Sequence, residues 1–499
     1  MTTRALPWPA GPGPDPGERC GRRLRRGLVL LGALLGVGAA APPPNVVVVL
    51  ADDLGWRDLR CSGNLWHDTP HLDRLAREGT RFTQAYAAAP ICSAARVALL
   101  TGRSPVRLGF EFVTKPATAR PPAGLPLRVP PYPLDLPLSE VTLAEILAPA
   151  GYATGYFGKW HVSAHHGGYL GWSPTHGPRQ QGFAEGDAEF GLHPYAYPGR
   201  PGIRENALPA GQFGEDELTT KAIGFLRARR DRPFFLMLGH YFVHDPIHSR
   251  AAWLVRKYTA RLPAGTDPRR AEYAAMVETL DHLVGRLLAA LSELGLAENT
   301  LVVFTSDNGG HPAYSANGPL RGSKWNLHEG GIRVPWIVRF PGRVPAGAVS
   351  DVPFIGTDLL PTLVAATGAR LPAGVTLDGR NLWPVWRGEP AATELLTRPL
   401  LWHFPYYHPE TNFAAARAAI GVDDFAVSQT RPHAALRLGD WKLLHHFEGA
   451  RDELYHLGRD PGEQTDLAAR EPARARELRR RLDAALDEAG ARRPTRGEP

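Results

Sequence analysis

Two acidic pairs in this chain stand where a metal could be held. Asp52 and Asp53 follow the apolar run Asn45-Val46-Val47-Val48-Val49-Leu50, and Asp307 and Asn308 follow Leu301-Val302-Val303-Phe304. Three carboxylates and an amide oxygen make an all-oxygen shell, which suits a hard divalent cation, Ca2+ or Mg2+, better than zinc. Ligand types alone do not choose between Ca2+ and Mg2+. Either pair alone could equally be a turn or a helix cap, since Asp and Asn serve both. Basic and nucleophilic groups occur nearby in the reading. Lys159 and His161 in Gly158-Lys159-Trp160-His161 are two apart, so an extended segment would aim both to one side with Trp160 turned away. Such a lysine can neutralise oxyanion charge, and such a histidine can move protons near neutral pH. The plainer alternative is a surface lysine beside a hydrogen-bonded histidine. Cys92 and Arg96 lie four apart in Pro90-Ile91-Cys92-Ser93-Ala94-Ala95-Arg96, at what reads as a helix start. A lone cysteine in an Ala-rich segment can also be a small buried hydrophobe.

The elements that must position these groups alternate between strand and helix. Asn45–Leu50, Phe234–Leu238 and Leu301–Phe304 are continuous apolar runs of strand length, as expected of parallel strands buried on both faces. Pro70 to Gly79 reads as a helix, with Thr69 as its cap, Pro70 at its first position and Gly79 at its exit. Met276, Leu280, Leu283, Leu287 and Leu291 recur at helical spacing as core packing. In an open α/β sheet the carboxyl ends of strands converge on one crevice, so pairs distant in sequence can meet there.

Composition sets the outer bounds. With 499 residues, 43% hydrophobic and 21% charged, the chain has ample material for a large core. Its net charge of +7 is concentrated in residues 1–41, where six arginines face two acids. What is left is too mild to argue for nucleic acid. Arg479-Arg480-Arg481 shares its segment with Glu477 and Asp483, as a solvated helix face does. Arg22-Arg23-Leu24-Arg25-Arg26, an apolar run from Gly27 to about Gly38, and Ala39-Ala40-Ala41 read as a signal peptide over 1–41. That run is too short for a stable membrane span, the alternative being an uncleaved anchor. Cys61 and Cys92 are the cysteines beyond the leader, and no N-x-S/T sequon occurs. The leader points to export, and both absences suit a periplasmic or secreted protein better than one in the lysosome or ER lumen of a eukaryote. A boundary is expected near residue 395, giving a catalytic domain over 42–395 and a C-terminal part over 396–499. The latter carries a Gly439-Asp440 hairpin turn and a final helix with Leu478, Leu482 and Leu486 on one face. Pro- and Gly-rich stretches at 114–135 and 190–214 are expected as surface loops near the pocket.

Cys92, Arg96, Thr101, Gly102 and Arg103 match by spacing the signature of the sulfatase family, C-x-P/A-x-R followed by a short apolar helix and T-G-R. Ala94 stands where proline is commoner and Ala95 where serine is common. Gly158–His161 resembles the family's G-K-W-H, His244-Asp245-Pro246 its H-x-P, and the acidic pairs follow in family order. The resemblance covers nearly all of the chain after the leader. It implies an α/β fold with a large mixed, mostly parallel sheet flanked by helices, alkaline-phosphatase-like, and a smaller C-terminal α+β subdomain. It implies oxidation of Cys92 to formylglycine by a formylglycine-generating enzyme, and one Ca2+ (or Mg2+) held by Asp52, Asp53, Asp307, Asn308 and residue 92. The activity implied is hydrolysis of sulfate esters of a carbohydrate or aryl alcohol. Lys159, His244 and Lys324 would bind the sulfate, with Arg96 offsetting charge. His244 or Lys324 would protonate the leaving alcohol, and His161 would take the proton that releases sulfate. Arg333 and Glu329 read as structural, and His240 and His248 as ordinary polar residues.

Two other readings use the same residues. A phosphate or phosphonate monoester hydrolase on this fold would share the metal crevice, and a non-catalytic sulfated-glycan-binding protein would keep Cys92 as a thiol. Leu400-Leu401-Trp402-His403-Phe404-Pro405-Tyr406-Tyr407-His408 is similar to a segment of carbohydrate-active sulfatases, including relatives of N-acetylgalactosamine-6-sulfatase. It could line a sugar subsite or belong to the core of the second part.

Overall fold

Strand β1 (Asn45–Ala51) is buried along its whole length. Val46, Val48 and Leu50 enter one hydrophobic core, while Val47, Val49 and Ala51 enter a second on the opposite side. Side chains alternate across a strand, so a run apolar at every position needs cover on both faces. The computed structural model describes residues 42–115, 125–196, 208–408 and 430–496. The expected signal peptide, 1–41, lies outside the described residues, as do 116–124 and 197–207 of the two Pro- and Gly-rich stretches.

After β1 come β2 (Thr80–Phe82), β3 (Ala85–Tyr86), β4 (Leu127–Arg128), β5 (Ala153–Gly158), β6 (Glu185–Asp187), β7 (Phe234–Gly239), β8 (Thr300–Ser306), β9 (Trp336–Arg339), β10 (Ala348–Ser350) and β11 (Phe354–Ile355). The main sheet has the order β10-β2-β9-β8-β1-β7-β5-β6. Strands β8, β1, β7 and β5 are adjacent and parallel, and β9 runs antiparallel between β8 and β2. The sheet is thus mixed and mostly parallel, as expected. Four neighbouring carboxyl ends lead directly into Asp307-Asn308, Asp52-Asp53, the segment with His244, and Lys159.

Helix α1 (Pro70–Glu78) departs from the expected capping. Thr69 Oγ1 accepts the Arg60 N–H at 2.9 Å and donates to Asp73 at 3.1 Å, so it caps nothing. The first-turn N–H groups of His71 and Leu72 go instead to Asp281, at 3.1 and 2.7 Å, on the long helix Arg269–Glu293. The cap comes from another element, as orphan helix donors only need an acceptor and not a local one. Gly79 is extended, at φ −139°, and not left-handed. A Cβ there would stand 2.1 Å from Val338 O on β9. Close backbone approach is its reason for being glycine.

The C-terminal strands β12 (Pro399–Phe404), β13 (His433–Leu438), β14 (Trp441–His446) and β15 (Arg451–His456) form an antiparallel sheet in that order, and β16 (Thr495–Arg496) pairs with β4. Gly439-Asp440 joins β13 to β14 with Gly439 at φ 58°, the positive φ that a tight hairpin turn requires. The helix Pro472–Glu488 packs Leu478, Leu482 and Leu486 onto one face, against Leu436, Leu443 and Leu454. The other face, with Trp402, Phe404, Ala435 and Tyr455, joins the main core. Trp402 and Phe404 are therefore core residues and not a sugar platform. Among the described residues no helix is long and apolar enough to cross a membrane.

Candidate active site

Helix α2 (Cys92–Thr101) begins with Cys92, after Ile91 in extended conformation, and every one of its residues is buried. It ends at Gly102, left-handed at φ 66°. Arg96, one turn into the helix, ties it to the sheet. Its Nε and Nη2 lie 2.9 and 2.8 Å from Asp307 Oδ2. Its Nη1 donates to the Lys159 carbonyl at 2.5 Å. Lys159 Nζ stands 2.5 Å from Asp52 Oδ2, and Lys324 Nζ 2.6 Å from Asp53 Oδ2. Three carboxylates at adjacent strand ends are thus matched by three cations, all buried. Burial disfavours charge, and only this pairing makes six ionised groups tolerable together.

The electrostatics follow from that arrangement. Burial would raise the Asp53 carboxyl, but Lys324 first and then Lys159 outweigh it and hold it well below the carboxylate range. Asp307 is pushed up to about 6 by burial and by Asp52, against the pull of Arg96. Burial works against the charged forms of Lys159 and Lys324, yet Asp52 and Asp53 respectively keep both ammonium groups protonated. Burial, Asp307 and Asp52 together push the Cys92 thiol well up. Burial, with Lys159 and Lys324 respectively, holds His161 and His244 well below the usual imidazole range, so both are neutral.

Lys159 and His161 do share a side, though not by strand alternation. Gly158 and His161 take positive φ, 95° and 57°, so the chain turns after β5 and brings both inward. Asp53 (φ 59°) and Trp325 (φ 76°), which follows Lys324, are likewise left-handed. Non-glycine residues in that region cost about 1–3 kcal/mol each and gather at functional sites. Both ring nitrogens of His161 are buried and make no hydrogen bond. His244 Nδ1 lies 2.5 Å from the Asp245 carbonyl, which can only accept, so Nδ1 carries the proton and Nε2 accepts from Lys324 at 3.1 Å.

The residues fit a hard cation. Donor atoms of Asp52, Asp53, Cys92 and His244 all lie within 4.8 Å of one another. Cys92 Sγ is 3.3 Å from Asp52 Oδ1 and 3.9 Å from Asp53 Oδ1. Asp307 and Asn308 attach through Asp53: Asp307 Oδ1 accepts the Asp53 N–H at 3.2 Å, and Asn308 Nδ2 donates to Asp53 Oδ1 at 2.8 Å. Asn308 Oδ1 is buried with no hydrogen-bond partner, an acceptor that a cation would satisfy.

These groups open into a cavity of about 300 Å3 lined by Asp53, Cys92, His161, His244 and Lys324. Its outer wall holds residues that the sequence did not single out, among them Lys115, Tyr169, Tyr195, His311 and Trp325. Tyr195 Oη lies 2.9 Å from His244 Nδ1, and His193 Nε2 2.9 Å from the His244 carbonyl, so both position that histidine. The Pro- and Gly-rich stretches do border the pocket, through Lys115 and Tyr195, and His408 lines it at the end of the Trp402 segment. His240 is buried, with both ring nitrogens unbonded. Glu329 accepts from Tyr86 at 2.6 Å and from Lys442 at 2.9 Å, which accords with a structural part.

The family model for sulfatases matches residues 44–369, and the model described as N-sulphoglucosamine sulphohydrolase, C-terminal, matches 323–491. The chain is 32% identical to N-acetylgalactosamine-6-sulfatase of Canis lupus familiaris, over 88% of this chain and 85% of that one. It is 34% identical to human (Homo sapiens) arylsulfatase A, over 88% of this chain and 86% of the relative. Among solved structures, Ps i-CgsB in complex with k-i-k-neocarrahexaose is 28% identical with a TM-score of 0.68, covering 89% of this chain and 93% of that one.

Proposed function

This chain belongs to the sulfatase family and hydrolyses sulfate esters, and we propose that it does so through a formylglycine at position 92 beside a divalent cation, Ca2+ or Mg2+. The observation that carries the proposal is the setting of Cys92. Its thiol is buried at a helix start, 3.3 Å from a carboxylate, and is pushed away from ionisation. A thiol in that state is a poor nucleophile, because the thiolate is the reactive form. Conversion to formylglycine, whose hydrate supplies one hydroxyl to attack and a second to release the product, suits the site. Since Cys92 is 1% exposed, a formylglycine-generating enzyme must reach it before the chain has folded.

The bound cation would supply charge for the sulfate and the nucleophile; Asp52, Asp53, Asp307, Asn308 and residue 92 would hold it. Lys159 and Lys324 place ammonium groups beside the nucleophile's position, and Arg96 fixes the helix that carries it. Fixed charges of this kind stabilise a transition state without reorganising. His244 accepts from Lys324 through Nε2, so the pair forms a path by which a proton reaches the leaving alcohol. His161, neutral and with both ring nitrogens unbonded, takes the proton from the second hydroxyl. The substrate is a sulfated carbohydrate or aryl sulfate. We read residues 1–41 as an export signal, 42–395 as the catalytic domain and 396–499 as the C-terminal subdomain.

Protein made together with a formylglycine-generating enzyme tests the reading. Turnover of 4-nitrophenyl sulfate well above 4-nitrophenyl phosphate, lost in Cys92→Ala, is expected. A preference for the phosphate would move the assignment to phosphate or phosphonate monoesters.

A further inference from the structure

Lys324 reaches the crevice from a loop, and much of what holds that loop lies on the C-terminal antiparallel sheet. On the near side, the Lys324 N–H donates to Gly310 O at 3.0 Å and the Trp325 N–H to Pro90 O at 2.8 Å. Within the loop, Asn326 Oδ1 accepts the Ser323 N–H at 3.1 Å, which closes a turn around Lys324. On the far side, the Leu327 N–H donates to His433 Nε2 on β13 at 2.8 Å, and His328 Nε2 lies 3.2 Å from Glu453 Oε2 on β15. The Glu329 N–H then donates to Glu463 at 2.6 Å. Three successive residues just after Lys324 thus hang from side chains that come much later in the chain.

His433 is set for that task. It is buried and stacked on His446, with ring centroids 5.8 Å apart and planes 8° from parallel. Its Nδ1 lies 2.7 Å from Arg431 O, which can only accept, so Nδ1 carries the proton and Nε2 offers a lone pair to the Leu327 N–H. Burial, with His446 and His328, holds the ring well below the usual imidazole range, which keeps that lone pair. Leu327 is itself fully buried, so its N–H, once deprived of this acceptor, has no water to turn to unless the loop moves. Lys324 tolerates little such movement. Its Nζ meets Asp53 Oδ2 at 2.6 Å and His244 Nε2 at 3.1 Å together, and a misplacement of about 1 Å at a reacting group can cost about a hundredfold in rate.

We propose that His433 and Glu453 are positioning residues, which fix Lys324 at the reaction centre through the Leu327 N–H and His328. The C-terminal sheet then takes part in setting the activity of the crevice. This rests on the part given above to Lys324 in sulfate ester hydrolysis.

His433→Asn and His433→Gln test it, with 4-nitrophenyl sulfate and protein made together with a formylglycine-generating enzyme. The asparagine amide keeps a donor for Arg431 O but is too short for Leu327, whereas the glutamine amide reaches the place of Nε2 and can accept there. His433→Asn should lower kcat/KM by about tenfold or more, and His433→Gln should stay within about threefold of the wild type. Combined with Lys324→Ala, His433→Asn should cost less than about twofold further, because a residue that acts through Lys324 has nothing left to position. This pairing is read at high enzyme concentration, where the slow Lys324→Ala background is measurable. If His433→Asn lacks a cooperative melting transition, Glu453→Gln takes its place beside Lys324→Ala with the same pattern expected, since it removes the charge that His328 meets at nearly constant volume. A loss retained in full in the Lys324→Ala background overturns the positioning role, as do equal effects of His433→Asn and His433→Gln. Wild-type kcat/KM in Lys324→Ala alone overturns the part given to Lys324, and the positioning role with it.

Discussion

Arg96 and Asp307 are joined twice, through Nε at 2.9 Å and Nη2 at 2.8 Å from the same carboxylate oxygen, with neither side chain exposed. This contact fastens the helix that begins with Cys92 to the end of β8. Removing one partner of such a pair leaves a buried charge uncompensated, at a cost of about 3–5 kcal/mol. Arg96→Met should therefore lower the unfolding free energy by about that amount in denaturant titrations run with a chelator present. A loss under about 1 kcal/mol would mean the pair is not what holds α2 in place.

Glu329 predicts an acid limit to stability. Burial would raise its carboxyl, but Lys442, Arg333 and Arg437 hold it at about 2 against an ordinary 4.5. A folded-state value below the unfolded one gives stability that is present above about pH 4.5 and is lost as pH falls toward 2, about 3 kcal/mol in all. Glu463 shares Lys442 at 2.9 Å and is shifted the other way by burial, so it does not supply this acid arm. Urea unfolding between pH 6 and pH 3 should show a clear decline in the wild type, and a shallower one in Glu329→Gln. Equal slopes would remove Glu329 as the cause.

Divalent cations should stabilise the folded chain directly. At a hundred times its dissociation constant, Ca2+ bound only to the native state contributes about 2.7 kcal/mol, enough to raise the melting temperature by several degrees. Asp53→Asn should lose that response, whatever its own melting temperature. A response of equal size in Asp53→Asn would place the ion elsewhere.

Cys92→Ser keeps one hydroxyl where the formylglycine hydrate has two. It should bind sulfate esters and fail to turn them over, as measured by equilibrium binding beside steady-state assays. Sustained turnover would overturn the role given to the second hydroxyl.

Much of the site is legible in the sequence because strand ends converge: an apolar run followed at once by Asp52-Asp53, or by Asp307-Asn308, places its polar groups at the same edge of the sheet. What stayed hidden depends on tertiary approach. Nothing local to Pro70 says that Asp281, two hundred residues on, will cap α1 in place of Thr69. Lys159 and His161 share a side through the turn after β5 and not through alternation, because a left-handed backbone at His161 cannot be read from its type. Tyr195 and His193 gave no signal, since a Pro- and Gly-rich stretch carries no periodicity. Tyr169 gave one that could have been followed: His165-His166-Gly167-Gly168-Tyr169 sets two glycines before an aromatic directly after Gly158–His161. Asp307 and Asn308 follow β8 as the sequence places them, but their bonds to Asp53 are set by side-chain geometry.

The central claim is that residue 92 works as formylglycine, and the mass of the proteolytic peptide containing it tests this most directly. Protein from its native host, or made with a formylglycine-generating enzyme, should yield the peptide as the aldehyde or its hydrate. An intact thiol throughout, with the same maturation enzyme shown to act on a control protein, would contradict the account. In that case Ala94-Ala95 defeats modification, and the cavity binds sulfated ligands without hydrolysing them.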